Sequence, residues 1–163
     1  MNYLSIKKPD VANGPGIRVS IFVSGCPHHC KGCFNVESWD WNAGEPYTLD
    51  TLREITDFLQ NSYVSGITLL GGEPFAQDGD IESLCEVIKR DYPDKTIWAY
   101  SGYTFEALLE KNHSLLKYID VLVDGRFIES LKDLRLRFRG SSNQRIIDVP
   151  KSLEKKEVVL WTS

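Results

Sequence analysis

The chain has 163 residues, 42% of them hydrophobic and 26% charged, with a formal net charge of −4 and a pI near 5.4. That is the composition of an ordinary soluble protein long enough to bury a core of its own. The acidic balance gives no reason to expect nucleic acid as a partner, and no apolar run approaches the ~20 residues needed to span a bilayer.

The opening residues, MNYLSIKKPDVANGPG, hold no apolar stretch of signal-peptide type, so a cytoplasmic protein with no membrane partner is expected. No internal repeat, low-complexity tract or linker interrupts the chain, and residues 1–163 read as a single domain. Ile17 to Ser24 (IRVSIFVS) is β-branched and apolar and is predicted as the first strand. Helical spacing follows from Leu49 to Ser62, with a capping box at Thr51 and Glu54 unless Thr48 caps one turn earlier. Gly66 to Leu70 is a short buried strand ending in GGEP. Asp78 to Tyr92 is a second helix with Ile81, Leu84, Cys85 and Ile88 on one face. Thr96 to Tyr100 is a strand running into SGY, Thr104 to Asn112 is helical, and Ile119 to Val123 is a strand running into DGR. Leu134 to Arg139 alternates apolar and basic residues at strand period, and Arg145 to Val149 and Glu157 to Trp161 can each add an edge strand.

Strands alternating with helices of this length predict an α/β fold of parallel βαβ units. Right-handed crossovers put every strand's C-terminal end on one side. The segments after the strands, namely the cysteine loop, GGEP, SGY and DGR, then share one rim, where such folds carry their active sites. A full eight-stranded barrel takes ~250 residues, so a partial, open βα barrel is expected.

Three of the four cysteines, Cys26, Cys30 and Cys33, lie in SGCPHHCKGCFN. Close-set cysteines in a reducing compartment bind metal or do chemistry more often than they form structural disulfides. The spacing C-x3-C-x2-C leaves three readings open. One is an iron–sulfur cluster whose remaining iron is left for a small molecule. A second is a zinc site completed by His28, His29 or His113, and the third is a redox dithiol. Gly25 and Gly32 bracket the loop and fit any tight metal site. Cys85, on the apolar face of a helix, reads as a core residue.

The same three cysteines followed by an aromatic, Phe34, resemble the signature of radical S-adenosylmethionine (SAM) enzymes. The longer string, Gly14-Pro-Gly16-Ile-Arg18, Phe22, Gly25-Cys26, Cys30 and Cys33-Phe34-Asn35, is similar to the subset that activates glycyl radical enzymes. NGPGIR, IW-x-x-SGY, DVLVDGRF and RGSSNQR resemble, within that subset, the activases of anaerobic ribonucleoside-triphosphate reductase, from about Asn13 to Arg145.

The resemblance implies a barrel of radical SAM type, with a [4Fe–4S] cluster on Cys26, Cys30 and Cys33 and SAM chelated at the fourth iron. An electron from a low-potential carrier such as flavodoxin cleaves SAM to methionine and a 5′-deoxyadenosyl radical. That radical takes a hydrogen atom from a glycine Cα of the large reductase subunit. No side chain is required as an acid–base catalyst. The family pattern assigns the SAM amino group to Gly71, Gly72, Glu73 and Pro74, and backbone near the adenine to Gly32, Cys33 and Phe34.

Tyr100, Ser101 and Gly102 either belong to the core or line the nucleoside pocket. Asp124 reads as a helix N-cap, with a ligand contact as the alternative. The row Arg135, Arg137, Arg139 is a solvated face or a dock for an acidic surface or the SAM carboxylate. Trp39 and Trp41 shield the cluster or mark a partner contact. Two other functions remain open: activase of a formate-lyase-type glycyl radical enzyme, or a non-catalytic iron–sulfur or zinc module.

Overall fold

The computed structural model describes residues 1–163. One seven-stranded sheet runs through it in the order β3-β1-β2-β4-β5-β6-β7. The strands are β1 (Asn2–Asp10), β2 (Ile17–Val23), β3 (Glu45–Pro46), β4 (Val64–Gly71), β5 (Thr96–Tyr100), β6 (Val121–Asp124) and β7 (Arg145–Asp148). Helices α1 (Leu49–Leu59), α2 (Gly79–Asp91), α3 (Phe105–Glu110) and α4 (Val149–Lys155) complete the main elements.

The four central strands, β2, β4, β5 and β6, pair in parallel as expected. Three outer strands correct the all-parallel expectation. β1 runs antiparallel to β2, β3 antiparallel to β1, and β7 antiparallel to β6. The sheet is therefore mixed and does not close. The sequence carries no strand signal for β1, whose Lys7-Lys8-Pro9 end lacks an apolar face, and in the structure a register shift interrupts its ladder between Lys7 and Asp10.

Alternation along the central strands sorts their side chains onto two faces. Val19, Ile21, Ile67, Leu69, Ile97 and Ala99 join the core with Ile55 and Leu59 of α1 and with Ile81, Leu84, Cys85 and Ile88 of α2. Cys85 is wholly buried there, and burial pushes its thiol up to about 12. The helix starts follow from their caps. Thr48 and Thr51 form the capping box of α1, and Asp78 and Thr104 cap α2 and α3.

The other face carries Arg18, Thr68, Trp98 and Tyr100. Arg18 is fully buried, and all five of its N–H groups are satisfied by Thr68 Oγ1, Pro15 O, Thr96 Oγ1, Ile67 O and Thr96 O. Burial still lowers its pKa to about 10. The NGPGIR segment thus delivers a structural cation to the floor of this face.

Leu134 to Arg139 is not a strand. Asp133 Oδ1 accepts from Arg135 N in a tight turn, and Phe138 has a φ of 61°. The alternation reflects a coil with Leu136 and Phe138 turned inward, without a ladder partner. Glu157 to Trp161 contributes only a single bridge, Leu160 to Ile147, and Trp161 stacks edge-on against Trp98 at 5.0 Å.

Candidate metal centre

The cysteine loop leaves the C-terminal end of β2 and is stitched to the exit of β4 by backbone and by the Gln77 side chain. Gly72 N donates to Val23 O (2.8 Å), Glu73 N to Gly25 O (2.8 Å), and Gln77 Nε2 to Ser24 O (3.0 Å). Gly25 has a φ of 101°, and a Cβ there would lie 2.1 Å from the Trp41 ring, so only glycine fits this turn. Trp41 therefore packs behind the loop, while Trp39 lines the cavity in front of it.

Cys26, Cys30 and Cys33 are free thiols, half-buried, and all three line one cavity of about 490 Å3 at the C-terminal ends of the parallel strands. Burial raises the thiols of Cys26 and Cys30. Asn35 N donates to Cys33 Sγ at 3.4 Å.

The donors fit a three-thiolate cluster better than a closed zinc site. His28 Nε2 is bonded to Glu73 Oε1 at 2.6 Å. His113 Nε2 bonds Phe75 O and its Nδ1 accepts from Leu115 N. His29 lies flat on Trp39, 4.4 Å between rings, and neither His29 nor His113 lines the cavity. The three thiols border one cavity without converging on a point, and no group of three or more Cys, His, Asp or Glu side chains is placed to hold a single metal ion.

Eight of the ten residues expected to bind the cofactor line this cavity: Cys33, Phe34, Gly71, Gly72, Glu73, Tyr100, Ser101 and Gly102. Gly32 lies outside the lining, where a Cβ would meet the Glu129 side chain at 2.9 Å, and Pro74 is buried as the first residue of a short 3-10 turn.

Glu73 is the centre of the opposite wall. Its side chain is 0% exposed, and four donors converge on it. Oε1 accepts from His28 Nε2 (2.6 Å), Gly102 N (2.8 Å) and Ser101 Oγ (2.9 Å), and Oε2 from Phe75 N (3.0 Å). A carboxylate expected to face a cationic amine is instead turned inward. It ties the cysteine loop, through His28, to the ends of β4 and β5. Gly102 belongs to the same knot, because a Cβ there would sit 2.5 Å from the His28 ring.

The third wall is the coil between β6 and β7. It contributes Phe127, Leu136, Phe138, Arg139, Gly140 and Gln144 to the lining. The sequence RGSSNQR pins this coil. Gln144 Oε1 accepts from Gly140 N and Ser141 N, Gln144 Nε2 donates to Gly125 O, and Asn143 Nδ2 donates to Arg126 O. Arg139 points into the cavity rather than to solvent. Its Nη1 donates to Gln144 O (2.9 Å), and its Nε is buried without a partner, as are Tyr100 Oη and Trp39 Nε1. Arg135 pairs with Asp133 in solvent, so the arginine row is split between two faces.

Asp124 has a structural role of the expected kind, though not as the cap itself. Its carboxylate accepts from Phe105 N at the start of α3 and pairs with Arg145 at 2.6 Å. Asn13 and Ala12, also in the lining, were not singled out from the sequence as ligand contacts; NGPG was the available signal.

A family model described as a 4Fe-4S single cluster domain matches residues 12–147. Curated relatives carry the name anaerobic ribonucleoside-triphosphate reductase-activating protein. The protein of Enterobacteria phage T4 is 41% identical over 90% of this chain and 93% of its own length. That of Vibrio cholerae is 43% identical over 90% and 97%, and that of Escherichia coli K12 is 40% identical over 88% and 96%. With that similarity over nearly the whole of each protein, and three thiols gathered on one cavity, the chain belongs to the family of anaerobic ribonucleoside-triphosphate reductase-activating proteins.

Proposed function

We propose that this chain activates an anaerobic ribonucleoside-triphosphate reductase by installing a glycyl radical on its large subunit, using a [4Fe–4S] cluster on Cys26, Cys30 and Cys33 together with SAM. The observation that carries the reading is that three half-buried thiols share the wall of one cavity at the strand ends, where the one lining imidazole, His28, is held by Glu73. The names of the relatives favour a reductase over a formate-lyase-type partner, and the matched cluster domain favours iron over zinc.

When bound, the cluster supplies a low-potential electron to a sulfonium nucleotide and so gives access to a carbon radical able to take hydrogen from a glycine Cα. The protein's part is to hold and exclude. A cavity of about 490 Å3 lies within the roughly 300–1,000 Å3 of small-molecule sites. Because the Glu73 carboxylate is buried and held by four donors, the amino group of SAM falls to the backbone of Gly71 and Gly72, with Glu73 and Pro74 fixing the course of that backbone.

Tyr100, Ser101 and Gly102 form the next stretch of the wall, beside the nucleoside. The buried Tyr100 Oη and Arg139 Nε supply polar groups in want of a partner. Phe34 and Cys33 edge the mouth, and Gly32 backs the loop. No acid–base residue is required. We read residues 1–163 as one domain, a partial barrel of radical SAM type, supported by the four parallel strands with helices on one face. A flavodoxin-like donor and a cytoplasmic setting complete the reading. No helix of the chain is long and apolar enough to cross a membrane.

The test is direct. Anaerobically reconstituted protein is reduced with SAM present, mixed with the large reductase subunit and examined by electron paramagnetic resonance. A glycyl radical doublet on the reductase is expected. A colourless zinc-loaded protein, or SAM left intact after reduction, overturns the reading.

A further inference from the structure

The coil between β6 and β7 walls the cavity with one side, and its other side is unlike the rest of the surface. Ile128 and Leu131 are each 40% exposed and Leu134 is 84% exposed. Phe34, 56% exposed at the cavity mouth, is joined to this stretch through Phe127, on which it packs at 5.0 Å, and through Lys132, whose Nζ lies 5.1 Å above its ring. The apolar side chains are interleaved with mostly basic charge, Glu129 and Asp133 being the exceptions. From Arg126 to Arg137 there are four basic side chains against two acidic ones, in a chain of net charge −4.

One of those two acids, Asp133, is taken by Arg135. Lys31, Arg126, Lys132 and Arg137 stand outside every ion pair of the chain. Exposed apolar groups contiguous over a surface mark a contact site where isolated ones do not, and unpaired cations among them select an acidic partner. The patch is also anchored. Ser141 Oγ accepts from Ile128 N, Ser142 N donates to Leu131 O, and Asp133 N donates to Gly140 O. A partner therefore meets a fixed surface.

We propose that this outer face of residues 126–137, with Lys31 beside it, is the docking surface for the reductase, and that it takes an acidic segment of the large subunit carrying apolar side chains. This rests on the reading of function above. A protein whose own backbone is the substrate must touch the activase at the cavity mouth, and this face is continuous with that mouth. Docking here brings the partner over the three thiols.

The experiment measures glycyl radical formation against reductase concentration, and SAM cleavage without reductase, for wild type, Leu134→Glu, Lys132→Glu and the control Tyr63→Glu. Tyr63 is 57% exposed at the start of β4, at the opposite end of the sheet. For Leu134→Glu and Lys132→Glu the KM for reductase is expected to rise about tenfold or more, as at a binding hot spot. Reductase-free SAM cleavage and thermal stability stay at the wild-type level, and the control is unchanged. Raising the ionic strength should raise the wild-type KM and leave that of Lys132→Glu less sensitive.

Unchanged KM values in both variants, beside a wild type that installs the radical, overturn the surface alone. A wild type that installs no radical overturns the functional reading and this surface with it. If wild type alone sediments as a dimer that Leu134→Glu dissolves with no change in KM, the face joins two copies of this chain and the proposal fails.

Discussion

Two walls of the same cavity are built on opposite plans. The wall at the ends of β4 and β5 turns its charge inward: Glu73 is wholly buried and meets four donors from His28, Phe75, Ser101 and Gly102. The wall between β6 and β7 turns its charge outward except at Arg139, with cations outside any ion pair and exposed Leu131 and Leu134 on a coil held by Ser141, Asn143 and Gln144. Saturated and dry polar groups resist rearrangement, because every broken bond leaves a buried orphan. Unsaturated, wet ones are there to be met. The first wall keeps the metal loop in shape, and the second meets the molecule that comes to it.

Substitutions can separate the two plans. The largest effect is expected from Glu73→Ala, which strands four donors in the interior. By the cost of breaking a buried charged network, about 3–5 kcal/mol of stability should be lost in denaturant unfolding of the cluster-free chain. A loss below about 1 kcal/mol, the size of one ordinary hydrogen bond, would show that the knot carries little.

Gly102→Ala comes next. Its Cβ would stand 2.5 Å from the His28 ring, so the ring must leave Glu73 or the loop must shift. Overpacking of this kind costs about 1–3 kcal/mol, and the iron bound per chain after reconstitution should fall with it. Full iron retention would mean that His28 does not hold the cysteine loop. His28→Ala removes one donor and should cost about 1–2 kcal/mol, again with reduced iron. On the other wall, Leu134→Glu should move the unfolding free energy by no more than about 0.5 kcal/mol, as for an exposed site. A larger loss would mean that Leu134 is part of the packing and not a free surface.

The first wall was also the more legible in sequence. β5 falls at Thr96–Tyr100 as read, and the positions of α1, α2 and β4 differ from the reading only at their ends, because apolar periodicity and caps are local signals. The cysteine loop, GGEP and SGY were identified by spacing and by family resemblance, and the fold brings them together. What each side chain does there was harder to read. Glu73 reads in sequence as part of a turn or as a carboxylate for the SAM amino group, and nothing local announces that His28, forty-five positions earlier, will meet it.

The second wall misled. The alternation from Leu134 to Arg139 has strand period, yet the segment finds no ladder partner, and a turn at Asp133 and the positive φ of Phe138 direct it elsewhere. Arg139 thereby turns inward, while Arg135 and Arg137 stay in solvent. Long-range pairing decided what periodicity alone could not. β1 was missed because its Lys-Lys-Pro end is polar, and in the structure its pairing to β2 is broken by a register shift.

Both walls serve the three thiols between them, and these are best tested one at a time. Cys26→Ala, Cys30→Ala, Cys33→Ala and Cys85→Ala would each be reconstituted with iron and sulfide, reduced with SAM present, and assayed for 5′-deoxyadenosine. Loss of product in the first three and normal product in the fourth is the predicted result. Turnover surviving the loss of any one of Cys26, Cys30 or Cys33, or disappearing with Cys85 in a folded chain, would contradict a centre held by those three thiols.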